Sequence, residues 1–120
     1  FHLFRAYLPQ VEYFVFEYGM SLCVSKYGAS NVTEEEAEYL ATHACSGSSG
    51  NASDLEACSR RFGPFDVIVD DASHQQLHIT TAFSYLFVSE HLQPGGVYVM
   101  EDLQTSFMEE YGGSLEEQTA

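Results

Sequence analysis

Two apolar segments, each followed at once by two acidic residues, constrain the fold of this chain more than any other feature. Phe65–Val69 leads into Asp70-Asp71, and Val97–Met100 leads into Glu101-Asp102. Short runs of β-branched and aromatic residues without polar alternation are typical of strands that are buried on both faces. The sequence therefore predicts two buried strands whose carboxyl ends carry pairs of carboxylates.

Helix and turn signals separate these strands from each other and from earlier ones. Sheets whose strands alternate with helices are built from βαβ units, so the order predicts an α/β fold with a parallel sheet and flanking helices. In the first half of the chain the predicted elements are a helix over Phe1–Leu8 that ends at Pro9, a strand in Val11–Tyr18, a short helix over Leu22–Tyr27 that ends at Gly28, and a helix capped by Thr33 with Glu36. A weak strand within Ala41–Asn51 follows, and then a helix that is capped by Asn51 or Ser53 and runs through Arg61. The last predicted helix is capped by Ser73 and runs to about Glu90, before Pro94-Gly95-Gly96 breaks it.

Charge and composition narrow the class of partner. The 120 residues carry 4 Lys and Arg against 18 Asp and Glu, a formal net charge of -14. Binding to a phosphate backbone needs clustered cations, so nucleic acid and anionic membranes are excluded as partners. With 45% hydrophobic residues the chain is expected to form one packed domain. It contains no apolar run long enough to cross a bilayer.

The cysteines and asparagines say little about the compartment. Cys23, Cys45 and Cys58 are an odd number without a CxxC pair, so we expect free thiols and neither a disulfide framework nor a zinc site. Asn31 and Asn51 begin N-x-S/T sequons, which leave a secretory lumen open, although a cytoplasmic location is favoured.

The acidic strand ends are the candidate functional site. Ligands of open parallel sheets bind outside the carboxyl ends of the strands, and converging carboxylates suit a hard cation such as Mg²⁺ or Ca²⁺. His74, three residues after Asp71, is suitably placed to act as a general base. The alternative is that the acids only cap the following helix. His78 pairs with His74 in a weak HxxxH pattern and is expected, like the remaining histidines, to be a satisfied or surface residue, while Ser73 lacks the nucleophile elbow of serine hydrolases.

These segments resemble a known family. Phe65–His74, with its Asp-Asp-Ala-Ser-His turn, and Leu92–Ser106, with its Glu-Asp-Leu-Gln-Thr-Ser turn, are similar to the S-adenosylmethionine-dependent O-methyltransferases of the macrolide-sugar type. The resemblance implies a Rossmann-like fold, Mg²⁺ dependence and transfer of a methyl group to a hydroxyl of a sugar or another diol. It also implies a small-molecule acceptor and leaves the oligomeric state, a homo-oligomer included, undecided.

The resemblance also implies roles for individual residues. Asp71 and Asp102, with Glu101, correspond to the metal ligands, and His74 to the general base. Glu17 corresponds to the acid that hydrogen-bonds the cofactor ribose, Ser48 lies where relatives carry an Asp near the adenine, and Asp70 is assigned to the cofactor side. Ala72 replaces the usual glycine of the turn, which requires a negative φ.

The first strand and the glycine-rich loop of the family have no counterpart before Phe1, and its closing strands have none after Met100. We therefore expect residues 1–107 to be the central part of a methyltransferase domain and 108–120 a polar acidic segment. Such a piece is expected to be inactive alone. Two other functions stay open: a non-catalytic Rossmann-like interaction domain and a metal-dependent hydrolase.

Overall fold

The structure is a computed structural model that describes residues 6–19 and 33–114. Strands and helices alternate along this part of the chain, as predicted. The strands are β1 (Val15–Glu17), β2 (Ala44–Ser46), β3 (Phe65–Asp70) and β4 (Leu92–Met100), the helices are α1 (Glu34–His43), α2 (Ala52–Phe62) and α3 (Gln76–Leu86), and two 3-10 turns follow at Leu103–Phe107 and Glu109–Tyr111. The short helix expected at Leu22–Tyr27 lies outside the described residues.

The strands form two parallel pairs. Strand β1 pairs with β2, and β3 pairs with β4 with Val67 opposite Val97 and Val69 opposite Val99. The described strands do not join into the single parallel sheet that the sequence suggests, because β1–β2 and β3–β4 form separate hydrogen-bonded ladders. Parallel pairing nevertheless brings the carboxyl ends of β3 and β4 to one edge, and this feature positions the site.

Side-chain hydrogen bonds fix the starts of two helices where the sequence predicts them. The Thr33 side chain accepts a hydrogen bond from the Glu36 backbone, and the Glu36 side chain accepts one from the Thr33 backbone, so the capping box is confirmed. At α2 the Asn51 side chain accepts a hydrogen bond from the Ser53 backbone at 2.9 Å. Asn51, and not Ser53, is therefore the N-cap.

Three predicted boundaries are wrong. Strand β1 covers Val15–Glu17 only, because the Tyr13 backbone N–H donates to the Tyr39 hydroxyl and not to a neighbouring strand. Helix α3 begins at Gln76 and not after Ser73, because Ser73 has a positive φ and its hydroxyl contacts His78. The helix ends at Leu86, before the predicted end near Glu90. Strand β4 begins at Leu92 and runs through Pro94-Gly95-Gly96, with an irregular register opposite Phe65 to Val67.

The prediction that the strands are buried on both faces is also wrong. Along β3 and β4 the side chains alternate between exposed and half-buried. The exposed side chains form one apolar face, which we call the valine face: Val67, Val69, Val97 and Val99, exposed by 58%, 47%, 53% and 39%. Within the described residues only the opposite face carries a helix, where Phe83 of α3 packs edge-on against Tyr98 at 5.5 Å.

Buried residues and a disulfide hold the helices against the strands. Leu55 and Cys58 of α2 and Ala82 of α3 are the buried apolar side chains of the described part, and α2 packs on α3. Cys58 forms a disulfide with Cys45 of β2, which contradicts the expectation of free thiols for these two residues. The 13-residue separation has no recognisable motif, so only the fold reveals that their Cα atoms lie 6.0 Å apart. Cys23 lies outside the described residues.

No helix in the described ranges is long and apolar enough to span a membrane.

Candidate metal and cofactor site

Three predicted site residues meet at the carboxyl ends of β3 and β4. Asp71, His74 and Asp102 each offer a ligand atom, and these atoms all lie within 4.8 Å of one another. His74 Nε2 is 3.9 Å from Asp102 Oδ2. Both aspartates are exposed and the histidine is half-buried, so a small molecule can reach all three. Two carboxylates separated by 31 positions in sequence are thus brought together by the parallel pairing of their strands.

The backbone at this edge adopts rare conformations. Ser73, His74 and Asp102 have φ angles of 52°, 56° and 53°, and they are the non-glycine residues with positive φ in the described ranges. Such conformations cost about 1–3 kcal/mol each and tend to cluster at functional sites. Ala72 is not among them, so the replacement of the usual glycine is tolerated, as the sequence analysis required.

Asp70 faces the other way from Asp71. Its carboxylate accepts a hydrogen bond from the Tyr98 hydroxyl at 2.7 Å and one from the Ala72 backbone N–H at 3.3 Å. Burial of the phenol, together with the Asp70 carboxylate, raises the pKa of Tyr98 well above its ordinary value. Asp70 therefore connects β3 to β4 and holds the start of the turn, and its predicted role toward the cofactor stays a prediction.

Glu101 is not brought into the group. Its backbone N–H donates to the Asp70 carbonyl at 2.9 Å, which extends the β3–β4 ladder by one bond, and its side chain is exposed. Among the described residues the cluster consists of Asp71, His74 and Asp102 alone. The role of Glu101 as a metal ligand stays a prediction.

The two other cofactor candidates lie at the ends of β1 and β2. Glu17 ends β1, its Oε1 accepts a hydrogen bond from the Tyr18 backbone, and its carbonyl accepts one from the Gly47 N–H at 3.1 Å. Ser48 follows in the β2–α2 loop, residues 47–51, where its hydroxyl accepts a hydrogen bond from the Gly50 N–H at 3.2 Å. Both residues therefore sit where the carboxyl ends of this strand pair open to ligands.

Asp54, in the first turn of α2, contacts this loop and was not among the residues predicted from the sequence. Its Oδ2 accepts a hydrogen bond from the Ser48 backbone N–H at 2.9 Å. A Cβ on Gly47 would lie 2.6 Å from the Asp54 Cβ, so the loop can pass this close only at a glycine. The sequence shows that Asp54 lies in the first turn of a capped helix. That position usually indicates only a favourable interaction with the helix dipole, so it does not predict a contact with the loop.

The other histidines of the described part have polar partners, as predicted. His43 stacks on Tyr39 and its Nε2 lies 3.3 Å from a Glu12 carboxylate oxygen, while the buried His91 is 3.3 Å from Glu56. His78 does not join the metal-ligand group, because its Nδ1 lies 2.7 Å from the Ser73 hydroxyl. The HxxxH alternative therefore stays a prediction, and His2 lies outside the described ranges.

Comparisons with known proteins show what this chain is similar to. The chain is 36% identical over 92 residues to mycinamicin VI 2''-O-methyltransferase of Micromonospora griseorubida, a match that covers 77% of this chain and 23% of that relative. It is 35% identical over 112 residues to 8-demethyl-8-(2-methoxy-alpha-L-rhamnosyl)-tetracenomycin-C 3'-O-methyltransferase of Streptomyces olivaceus, covering 93% of this chain and 25% of that relative. No protein-family model matches.

Solved structures give the same result. MycE methyltransferase from the mycinamycin biosynthetic pathway, in complex with Mg, SAH and mycinamycin VI, superposes with a TM-score of 0.58 and 39% identity over 63% of this chain and 19% of its own. A crystal form of MycE with Mg and SAH superposes with a TM-score of 0.60 and 26% identity over 98% of this chain and 37% of its own. The Rossmann-like fold is therefore confirmed. By sequence and by fold, the chain is similar to a part of the S-adenosylmethionine-dependent O-methyltransferases of the macrolide-sugar type, and it spans about a quarter of the length of the two curated relatives named above.

Proposed function

We propose that the protein carrying this chain transfers the methyl group of S-adenosylmethionine to a hydroxyl of a sugar, with Mg²⁺ as an essential partner. The observation that carries the proposal is the meeting of Asp71, His74 and Asp102 within 4.8 Å at the carboxyl ends of two parallel strands. The relatives' names specify sugar positions, and a neighbour of known structure holds Mg and SAH, which supports the same chemistry here.

The donor set fits a hard divalent cation. Asp71 and Asp102 offer exposed carboxylate oxygens, which are the ligands that Mg²⁺ prefers. Glu101 lies between the end of β4 and Asp102. When bound, Mg²⁺ would supply Lewis acidity toward the acceptor hydroxyls. The two aspartates would hold the ion from the carboxyl ends of two neighbouring strands, β3 and β4.

His74 takes the proton in this reaction. S-adenosylmethionine would supply the methyl group: the hydroxyl oxygen would gain the methyl carbon, the bond from that carbon to the sulfonium sulfur would be broken, and the by-product would be S-adenosylhomocysteine, a neutral thioether. The hydroxyl proton passes to a ring nitrogen of His74, because imidazole nitrogens commonly act as general bases. Asp102, 3.9 Å from His74 Nε2, stabilises the imidazolium that results.

The cofactor is assigned to the ends of β1, β2 and β3. Glu17 hydrogen-bonds the ribose hydroxyls, Ser48 lies beside the adenine, and Asp70 supports the turn between cofactor and metal. The net charge of -14 also favours a sulfonium cofactor over an anionic one. The acceptor is a small molecule, and neither nucleic acid nor a membrane takes part.

Calorimetric titration of the full-length protein with S-adenosylhomocysteine, with and without Mg²⁺, tests this proposal. We expect micromolar binding that weakens at least tenfold on Glu17→Ala, since each lost hydrogen bond to a charged group is worth about 1.5–3 kcal/mol. Glu38→Ala, which removes the same charge from an exposed position of α1, is the control and should leave binding unchanged.

Two outcomes would contradict the proposal. A folded protein that does not bind S-adenosylhomocysteine would favour the interaction-domain alternative. Mg²⁺-dependent release of sugar or phosphate without a methyl donor would favour the hydrolase alternative.

A further inference from the structure

His78 contacts two loops that carry different parts of the proposed site. It lies in the first turn of α3 and is half-buried. Its Nδ1 is 2.7 Å from the hydroxyl of Ser73 in the β3–α3 turn, residues 71–75. The other edge of its ring lies against Gly50 of the β2–α2 loop, where a Cβ would come within 2.5 Å of Nε2 and closer still to Cδ2.

The bond to Ser73 constrains a turn that would otherwise be unfavourable. Ser73 and His74 are consecutive non-glycine residues with φ angles of 52° and 56°. Left-handed backbone is unfavourable for residues other than glycine, so interactions outside the backbone must fix this conformation. The Ser73 hydroxyl meets His78 and also accepts a hydrogen bond from the Gln75 backbone at 3.4 Å. His78 thereby helps to hold the backbone from which His74 projects.

The contact with Gly50 constrains the second loop. Gly50 donates its N–H to the Ser48 hydroxyl at 3.2 Å, so the position of Gly50 is coupled to that of Ser48. The ring of His78 covers the space that a side chain at position 50 would occupy. Because one flat ring meets both loops, the distance between Ser48 and His74 depends on that ring.

We propose that His78 is a positioning residue that holds the turn bearing His74 in register with the loop bearing Ser48. The inference rests on the proposed methyltransferase function, since only there do the two loops serve one reaction. It assigns two separable roles to one side chain: a hydrogen bond that orients the base, and a ring face that supports the cofactor side.

Variants of the full-length protein separate the two roles. In His78→Phe the ring over Gly50 stays and the hydrogen bond is lost, so kcat should fall about 10- to 100-fold while the Kd for S-adenosylhomocysteine changes less than about twofold. Ser73→Ala should reproduce this result. In His78→Asn the amide can still bond Ser73 but does not cover Gly50, so kcat should be largely retained and the Kd should rise.

A double-variant cycle tests the contact itself. Gly50→Ala places a methyl group where the His78 ring lies and should impair both kcat and the Kd. Adding His78→Ala removes the ring, so the double variant should be no worse than His78→Ala alone. Leu77→Ala is the matched control, because the neighbouring side chain is 73% exposed, and it should leave both quantities unchanged.

The outcomes distinguish this inference from the proposed function. Suppose that the wild-type protein binds S-adenosylhomocysteine and transfers methyl groups. If the effects of Gly50→Ala and His78→Ala on kcat and the Kd then simply multiply, or if His78→Phe keeps full kcat, the positioning role is wrong and the proposed function stands. If the wild-type protein does not bind S-adenosylhomocysteine, both are wrong. Separate losses in His78→Phe and His78→Asn, with the predicted suppression, support the role.

Discussion

Neighbouring carboxylates at the end of β3 do different work because side chains of a strand alternate between its faces. Asp70 points toward Tyr98 and is half-buried, whereas Asp71 is exposed and meets His74 and Asp102. An Asp-Asp pair in sequence therefore does not indicate two metal ligands. One of the two secures the neighbouring strand, and the other is free to face a ligand.

His74→Ala is expected to lower kcat by about 10²-fold or more and to leave the Kd for S-adenosylhomocysteine within about twofold, because a general base acts on the acceptor proton and not on the cofactor. Steady-state kinetics and calorimetry on the same preparation check this. An equal loss in both quantities would contradict the assignment of the base.

Asp71→Asn and Asp102→Asn are each expected to abolish both turnover and its stimulation by Mg²⁺, because an amide oxygen is a much poorer ligand for this ion than a carboxylate. Asp66→Asn, an exposed change in β3, the strand that precedes Asp71, is the control and should keep both. Turnover measured against Mg²⁺ concentration decides; stimulation that persists in both site variants would remove these residues as ligands.

Tyr98 should make the fold sensitive to alkaline pH. Because burial and Asp70 raise its pKa in the folded state above the ordinary 10.0, the unfolded chain loses the phenolic proton first, and stability falls as pH rises above that value. Tyr98→Phe should be less stable than wild type at pH 7, and the difference should narrow above pH 10. Urea unfolding at both pH values measures this; a constant difference would contradict the effect.

At the scale of the element, local chemistry predicted some boundaries well and others poorly. The capping box at Thr33 and the turn before Phe65 involve residues close in sequence, so α1 and β3 could be recognised. Ser73 looks like a helix cap by the same rule, yet its hydroxyl meets His78 five residues later and α3 starts without a side-chain cap. Sequence alone could not rank these competing partners.

The cap of α2 offers a matched pair of variants. Asn51→Ala should lower the free energy of unfolding by about 1 kcal/mol, because it leaves the Ser53 N–H without its acceptor. Ser53→Ala, two residues later and also exposed, should have little effect because alanine is the better helix former. Chemical denaturation of both checks the assignment; equal losses would contradict it.

At the scale of the whole molecule, the sequence predicted which side chains meet at the edge of β3 and β4 better than it predicted how the strands pair into sheets. The convergence of Asp71 and Asp102 follows from parallel pairing and needs no detail of the packing. The pairing of Cys45 with Cys58, the role of Asp54 and the contact of His78 with Gly50 each depend on long-range packing that no local pattern encodes. These three features could not be predicted from the sequence for that reason.

The valine face has a consequence for handling this chain. Val67, Val69, Val97 and Val99 form a flat patch of β-branched side chains on two register-matched strands. Such surfaces favour intermolecular stacking and bind dyes that fluoresce on apolar protein. Expressed by itself, the 120-residue chain should therefore bind anilinonaphthalene sulfonate and aggregate as its concentration rises, and Val69→Thr with Val97→Thr should reduce both. If dye fluorescence and light scattering do not change in this double variant, the surface that causes aggregation lies elsewhere. If both decrease, the solubility of the chain can be improved without changing the residues at the carboxyl ends of β3 and β4.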